Sequence, residues 1–496
     1  MIRTREQLAA EARAVWADIS SRELKPKDRL AVPVQDMPCQ DPVERGRNMN
    51  EVALGYTEEQ ARVEASRCIQ CKNAPCIAGC PVRIDIPAFI GKVRDGDYAS
   101  AAEIIKRTNL LPSICGRVCP QEVQCQLPCT LGKSLGGVDK AVQVGRLERF
   151  VADWEAREGR AQAPEIAPDT GKRVAVIGSG PAGLTVAADV RRAGHGVTIF
   201  EAFQKPGGVM VYGIPEFRLP KAIVRSEAQA LEALGVKFEL NFLVGRTRPL
   251  QSLLSRDGFD AAFVGVGAGL PKFMEIPGEN LVGVFSANEY LTRANLMKAY
   301  DRNRAFTPIY PSRRVAVLGG GNVAMDSARM ALRLGAEEVR VLYRRTREEM
   351  PARAEEVEHA MEEGVIFDFL SSPVEVLADS EGKAAGLRVQ AFRLGDPDSS
   401  GRRSPVAIPG AITEVPFDTV IVAIGNESNP LLARTTPGLV VDKKGRVIVD
   451  EAQKTSVDRV YAGGDIVLGA ATVILAMGEG RRAAASINGI LSNGHV

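Results

Sequence analysis

The chain is short of histidine, and after Cys129 it has no cysteine. Its three histidines, His195, His359 and His495, are scattered, so none offers a mixed cysteine–histidine metal knuckle. It also lacks a charge excess: 63 Lys and Arg against 61 Asp and Glu leave a net +2. That balance gives no footing for nucleic acid or an anionic membrane surface. No apolar run approaches the roughly 18 residues a spanning helix needs, so no membrane span is expected. The opening "MIRTREQLAAEARAVW" has no apolar centre of the kind a signal peptide carries. The expected location is therefore cytoplasmic, where thiols stay reduced and disulfides are disfavoured. With 496 residues there is material for two to four domains.

What is present is concentrated. Eight of the nine cysteines lie between Cys68 and Cys129, and the ninth is Cys39. The first run, "CIQCKNAPCIAGCP", is C-x2-C-x4-C-x3-C-P over Cys68, Cys71, Cys76, Cys80 and Pro81. The second is C-x3-C-P-x4-C-x3-C over Cys115, Cys119, Pro120, Cys125 and Cys129. Zinc is the alternative, but zinc sites usually pair two C-x2-C knuckles or add histidine. The first run is close to the bacterial ferredoxin pattern, in which the cysteine before proline serves the other cluster. Two such runs point to two [4Fe-4S] clusters with crossed ligands. The flanking sequence reads as a helical scaffold. Thr57 and Gln60 have capping-box spacing ahead of Cys68. Phe89, Ile90 and Val93, then Ala101, Ile104 and Ile105, recur at helical spacing on either side of Gly96.

Two dinucleotide signatures follow. "KRVAVIGSGPAGLTVAADVRRAGHGVTIFEAF" reads as strand, G-x-G-x-x-G turn, helix and strand, with Gly178, Gly180 and Gly183 at the turn. Glu201 ends the second strand, where an acid accepts from ribose hydroxyls. "RRVAVLGGGNVAMDSARMALRLGAEEVRVLYRR" repeats the pattern with Gly319, Gly321 and Ala324. Here Tyr343 stands opposite Glu201, followed by Arg344 and Arg345. An arginine pair suits a 2′-phosphate, so the second site is expected to prefer NADP(H); the alternative is a solvated basic patch. Nicotinamide moves two electrons as hydride, whereas a [4Fe-4S] cluster moves one. A flavin converts between them, so the first loop is expected to bind FAD. In "VYAGGDIVLGAATVILAMGEG" a strand ends at Gly463, Gly464 and Asp465, and Asp465 is placed to meet a ribityl hydroxyl or the phosphate linkage. The helix start at Thr472 falls near the flavin ring.

The order cysteine block, "GSGPAG", "KPGGVMVYGIPEFRLPK", "GGGNVAMD", "YRR" and "YAGGD" resembles the glutamate synthase small-subunit family. It equally resembles the large subunit of NADH-dependent ferredoxin:NADP+ oxidoreductase (the Nfn complex) and the N-terminal half of dihydropyrimidine dehydrogenase. The resemblance spans roughly residues 40 to 490. It implies an α/β fold in which an N-terminal α-helical double [4Fe-4S] domain precedes two Rossmann-like nucleotide-binding domains, the FAD domain being split by an inserted NADPH domain. It also implies a ligand set: Cys68, Cys71, Cys76 and Cys129 for one cluster, and Cys80, Cys119, Cys125 and Glu148 for the other. A bare cysteine count would instead make Cys115 the eighth ligand. The resemblance further places Gly178, Gly180, Pro181, Ala182, Gly183, Gly207, Gly208 and Gly213 near FAD. It places Gly319, Gly320, Gly321, Asn322, Val323 and Ala324 under NADP(H).

The domain reading is an N-terminal extension over 1–40, an iron–sulfur domain over 41–160, FAD-binding segments over 171–290 and 436–496, and an NAD(P)H-binding domain over 291–435. The extension is read as an arm for subunit contacts or a flexible lead, and "REGRAQAPEIAPDTGK" as a linker. No separate catalytic acid or base is expected; hydride transfer would occur at flavin N5. The three cofactor domains use the whole chain, so a redox partner subunit and a hetero-oligomer are expected. The segments "EVALGYTEEQARVEASRCIQCK" and "RIDIPAFI" favour the electron-bifurcating Nfn-type large subunit, with a small flavin and [2Fe-2S] partner and ferredoxin among its acceptors. The alternatives are the NADPH-dependent glutamate synthase small subunit, with a glutamate synthase large subunit as partner, and an equivalent electron-input module of another redox complex. A non-enzymatic scaffold is disfavoured by the intact glycines and cysteines.

Overall fold

Thr57 caps the helix Glu58–Ser66 by accepting from Gln60 N, while the Gln60 side chain accepts from Thr57 N. This helix delivers the chain to Cys68. Helices Ile86–Asp95 and Tyr98–Lys106 follow, broken at Gly96, which adopts the left-handed conformation at φ 81°. With Pro112–Val118 and Val144–Glu158 they bury Phe89, Ile90, Val93, Ala101, Ile105, Ile114, Leu147 and Val151 almost completely. Their apolar stripes at three- and four-residue spacing converge on one core. In this computed structural model, residues 3–159, 164–301, 303–305, 307, 309–399 and 401–492 are described. Part of the expected linker, residues 160–163, and His495 lie outside them.

Residues 3–40 fold back on the helical domain. Helix Arg5–Ile19 packs Ala12 and Ile19 against Val63 together with Val32, and Trp16 lies under the Arg62 guanidinium at 4.3 Å. Arg29 donates to the carbonyls of Ser66 and Cys68, each at 3.0 Å. The extension is thus a docked part of the cluster domain.

Two five-stranded parallel sheets carry the nucleotide signatures. The first has the strand order 460–462, 261–264, 173–177, 196–200, 237–239. The second has the order 284–286, 419–422, 314–318, 338–343, 366–369. Each central strand is a buried aliphatic run ending at a glycine turn, as a sheet covered on both faces requires. An antiparallel sheet, Ser371–Ala378, Ala384–Pro397 and Arg403–Val415, extends from the second unit.

The chain leaves the first unit and returns to it through a short antiparallel pair, Leu270–Pro271 with Asn426–Glu427. The second unit therefore interrupts the first. Strand Val284–Ser286 pairs with Val420–Val422, so the change of unit falls before 284 and not at 290/291. On the return side, Leu432 already packs in one core with Phe200 and Val244 of the first unit, ahead of residue 436. The first correction follows from strand pairing and the second from core packing, each between residues more than a hundred positions apart.

The cluster domain and the first unit share one continuous core. Helix Val473–Ser492 packs along Pro181–Arg192, and its Met477 Sδ lies 3.7 Å from Cys115 Sγ. By contrast, the second unit meets its neighbours through buried ion pairs. Arg218 bonds Asp326 at 2.7 Å and Glu356 at 3.0 Å. Glu363 takes Arg45, Arg329 and Arg333 at 3.0, 2.6 and 2.7 Å, and Arg329 also pairs with Glu356.

Candidate functional site

The first unit assembles a dinucleotide cradle from three separated segments. In the turn after strand 173–177, a Cβ at Gly183 would stand 2.0 Å from Gly178 O, so helix and strand meet at a distance that only glycine permits. A Cβ at Gly180 would meet no protein atom within 4 Å, so that position is open toward a ligand. Pro181 and Ala182 begin the helix and are buried. Glu201 ends strand 196–200 and is 5% exposed. One of its oxygens accepts from Ser179 N at 2.9 Å and from Ser179 Oγ at 2.5 Å; the other accepts from Phe203 N at 2.9 Å. The carboxylate is thereby fixed in orientation and keeps lone pairs for a ribose.

The second segment lies against this turn. Gly207 N donates to Ser179 Oγ at 2.9 Å, and a Cβ at Gly208 would come within 2.9 Å of Gly180 Cα. Gly213 closes the short helix Val209–Tyr212, and its carbonyl accepts from Asn295. The third segment brings Gly464 over Ala182, where its Cβ would lie 3.1 Å from the Ala182 Cβ. Asp465 starts the helix Asp465–Leu468, and burial pushes its carboxyl up to about 6. Thr472 Oγ1 accepts from Leu475 N and from Gln124 Nε2, both at 3.3 Å, which joins the cradle to the cysteine block. Ser179 is a site residue that the sequence reading does not single out. Ser179 sits in the variable position of the glycine motif, where nothing in the pattern marks it.

The second unit repeats the turn with different neighbours. The Ala352 N–H donates to Gly320 O at 3.2 Å, and Asn322 Oδ1 accepts from Arg353 N at 3.0 Å. Gly319 and Gly321 flank that contact, Val323 is 38% exposed, and Ala324 is fully buried. Tyr343 packs its ring beneath Gly320 and donates to Glu349 O at 2.8 Å. The two arginines after it part company. Arg344 is exposed and makes no hydrogen bond or ion pair among the described residues. Arg345 is buried, pairs with Asp398 at 2.6 Å and donates to Arg403 O at 2.7 Å. The two side chains therefore do not act as a pair: beyond the strand that ends at Tyr343, one faces solvent and the other is committed to the hairpin.

The cysteines sort into two sets. Cys68, Cys71, Cys76 and Cys129 line one cavity with Ile69, Ile86 and Val142. Cys80, Cys119 and Cys125 are buried together, and Glu148 is their common acidic neighbour. Glu148 is itself buried on helix Val144–Glu158, with one oxygen accepting from Asn109 Nδ2 at 2.5 Å, and burial pushes its carboxyl up to about 8. Cys115 lies in the same region, but its sulfur packs against Met477 Sδ at 3.7 Å and Asn109 Oδ1 at 3.6 Å. Cys39 stands apart, 3.8 Å from His359 Nε2. Burial pushes the thiols of Cys68 and Cys80 up to about 11 and that of Cys76 to about 12. Such groups become thiolates only against positive charge, and iron supplies it, so the donor set fits a pair of iron–sulfur clusters.

Comparison with known proteins agrees with these features. The family described as dihydropyrimidine dehydrogenase domain II, 4Fe-4S cluster, matches residues 45–160. The pyridine nucleotide-disulphide oxidoreductase family matches residues 172–480. The glutamate synthase [NADPH] small chain of Halomonas elongata is 38% identical over 450 residues, covering 89% of this chain and 93% of the relative. The corresponding Escherichia coli protein is 36% identical over 444 residues, covering 88% and 93%. The NADP(+)-dependent formate dehydrogenase subunit beta of Moorella thermoacetica is 40% identical, but the match covers 85% of this chain and only 60% of the relative. Among solved structures, Mycobacterium tuberculosis FprA in complex with NADPH aligns with a TM-score of 0.54 at 21% identity, covering 65% of this chain and 85% of that one, a likeness of fold. No helix of the described residues is long and apolar enough to cross a membrane.

Proposed function

Because this chain belongs to the pyridine nucleotide-disulphide oxidoreductases, in the branch of the glutamate synthase small chains, we propose that it is the NADPH-oxidising subunit of a larger redox enzyme. It is an NADPH-dependent, FAD- and iron–sulfur-containing oxidoreductase. One observation carries the subunit reading: two cysteine sets and two dinucleotide turns lie in one chain, and the cradle of the first unit shares a core with the cysteine domain. Bound flavin supplies the conversion between two-electron hydride chemistry and one-electron transfer.

The chain's own residues bind and orient. The backbone N–H groups of Gly180, Ala182 and Gly183 would face a pyrophosphate at a helix N-terminus, and Glu201 would hold a ribose. Asp465 and Thr472 cover the other side of the same cradle. Gly319 to Ala324 receive the second dinucleotide, with Arg344 reading its 2′-phosphate and Arg345 bracing the antiparallel hairpin. Cys68, Cys71, Cys76 and Cys129 hold one [4Fe-4S] cluster; Cys80, Cys119, Cys125 and Glu148 hold the other. Glu148 accepts one bond from Asn109 and keeps its second oxygen for iron.

The favoured complex is of the glutamate synthase type, since the named relatives that match over nearly their full length are its small chains. The Nfn-type large subunit is the second reading, on the strength of the "EVALGYTEEQARVEASRCIQCK" and "RIDIPAFI" segments. Anaerobic purification from the native source with mass identification of bound chains separates them. A large FMN-containing amidotransferase supports the first, a small flavin and [2Fe-2S] subunit supports the second, and a chain free of flavin and iron overturns both.

A further inference from the structure

We infer that Arg353, a residue of the NADPH-binding unit, sets the potential of the cluster held by Cys80, Cys119, Cys125 and Glu148, acting as a positioning cation across the domain boundary. The inference rests on the two-cluster reading above. Arg353 is 9% exposed and stands at the start of helix Ala354–Glu362. Its side chain crosses to the cysteine loop: Nη1 donates to Arg117 O at 3.0 Å, and Nη2 donates to Gln121 Oε1 at 3.2 Å. These two acceptors flank Cys119. Gln121 in turn donates to Cys115 O at 3.4 Å, so the guanidinium and the amide fix both ends of the turn that carries Cys119. The backbone of the same arginine is anchored on the second glycine turn through Asn322.

A buried cation favours whichever state of its neighbour is more negative. Adding one electron to the cluster makes it more negative by one charge, with no bond formed or broken, so Arg353 favours the reduced state. Two carboxylates partly balance the cation: Glu355 at 3.0 Å and Glu122 at 3.7 Å. The other nearby cations are already paired, Arg117 with Glu51 and Asp153, and Arg146 with Glu355. Removing Arg353 therefore does two things of the same sign: it withdraws the cation and leaves Glu122 without its partner, while Glu355 keeps Arg146. If the NADPH-binding unit swings away, the cation goes with it.

The test is a potentiometric titration of the anaerobically purified holoprotein, followed by the electron paramagnetic resonance signals of the two clusters. Arg353→Gln is expected to lower the reduced-to-oxidised ratio of one cluster about tenfold at fixed poise, or about 59 mV for one electron. The other cluster stays unchanged. Arg353→Lys retains most of the native value, and Glu122→Gln, at a partly exposed acid, shifts the same cluster the opposite way. Unmoved potentials, or equal shifts in both clusters, overturn the inference. If Arg353→Gln fails to assemble the second cluster, Glu122→Gln decides: a rise supports the inference and no change refutes it. Absence of both signals from the native protein refutes the two-cluster reading instead.

Discussion

Replacing Arg344 and Arg345 one at a time separates two roles that adjacency in sequence conceals. Arg344 is exposed without a partner among the described residues, so its guanidinium is available to a ligand phosphate. A hydrogen bond to a charged group is worth ~1.5–3 kcal/mol, and solvent screening at an exposed site favours the lower half of that range. With 1.4 kcal/mol per factor of ten, Arg344→Ala should lower the preference for NADPH over NADH by roughly 10- to 30-fold. Arg345 is committed to Asp398 at 2.6 Å and to Arg403 O at 2.7 Å. Arg345→Ala should change that preference less than about threefold, while removing ~1–3 kcal/mol of stability from the hairpin it braces. The assay is the ratio of kcat/KM for the two nucleotides with an artificial acceptor, so no partner subunit is needed. A tenfold loss of preference in Arg345→Ala, with Arg344→Ala unchanged, refutes the assignment.

Gly180→Ala should fold normally yet lose flavin, because its new methyl meets only the ligand's space, whereas Gly183→Ala drives a methyl to 2.0 Å from Gly178 O and should fail to fold. Circular dichroism with flavin absorbance per chain distinguishes these. Cys115→Ser should keep about eight irons per chain and Cys125→Ser about four; equal iron in both would remove the ligand assignment. For Glu363, burial raises the carboxyl, but Arg329 and Arg333 outweigh it and hold it at about 2. Its stabilisation is complete above the ordinary carboxylate range and is lost as pH falls through about 2. Glu363→Gln should therefore cost ~3 kcal/mol at pH 7, with the deficit shrinking below pH 4 in urea unfolding. A deficit independent of pH contradicts the charge argument.

Much of the site was legible because it is local. The capping box before Cys68, the helix break at Gly96 and both glycine turns depend on residues a few positions apart. What was not legible depends on distant pairing. The exit from the first unit is set by strand 284–286 pairing with 420–422, and no local signal marks it. Arg45 meets Glu363 across 318 positions. The N-terminal extension shows helical residues, but its docking on Val63 is decided by the partner surface. Arg344 and Arg345 are the instructive case. They lie just past the end of strand 338–343, and what separates them is the partner Arg345 finds in Asp398, more than fifty positions away, which no local pattern marks.

The two dinucleotide turns share one pattern, and their surroundings assign them different work. The first is enclosed: Pro181 and Ala182 are buried, loop 207–213 lies on Gly180, and Gly464 rests on Ala182. Helix Val473–Ser492 adds a further wall, with a Cβ at Gly480 falling 2.6 Å from Ala182 O. A ligand seated there cannot leave without moving segments that belong to the largest core of the molecule. The second turn is backed by Tyr343, by 351–353 and by the backbone of Ala423, with Val323 and Arg344 facing solvent. Its unit hangs on a two-strand connection and on buried ion pairs, whose strength depends on geometry. Enclosure suits a resident prosthetic group, and exposure suits a cosubstrate that must arrive and depart in every turnover. The asymmetry in burial thus supports the proposed assignment, FAD first and NADPH second, that the chemistry of Glu201 and Arg344 also suggests.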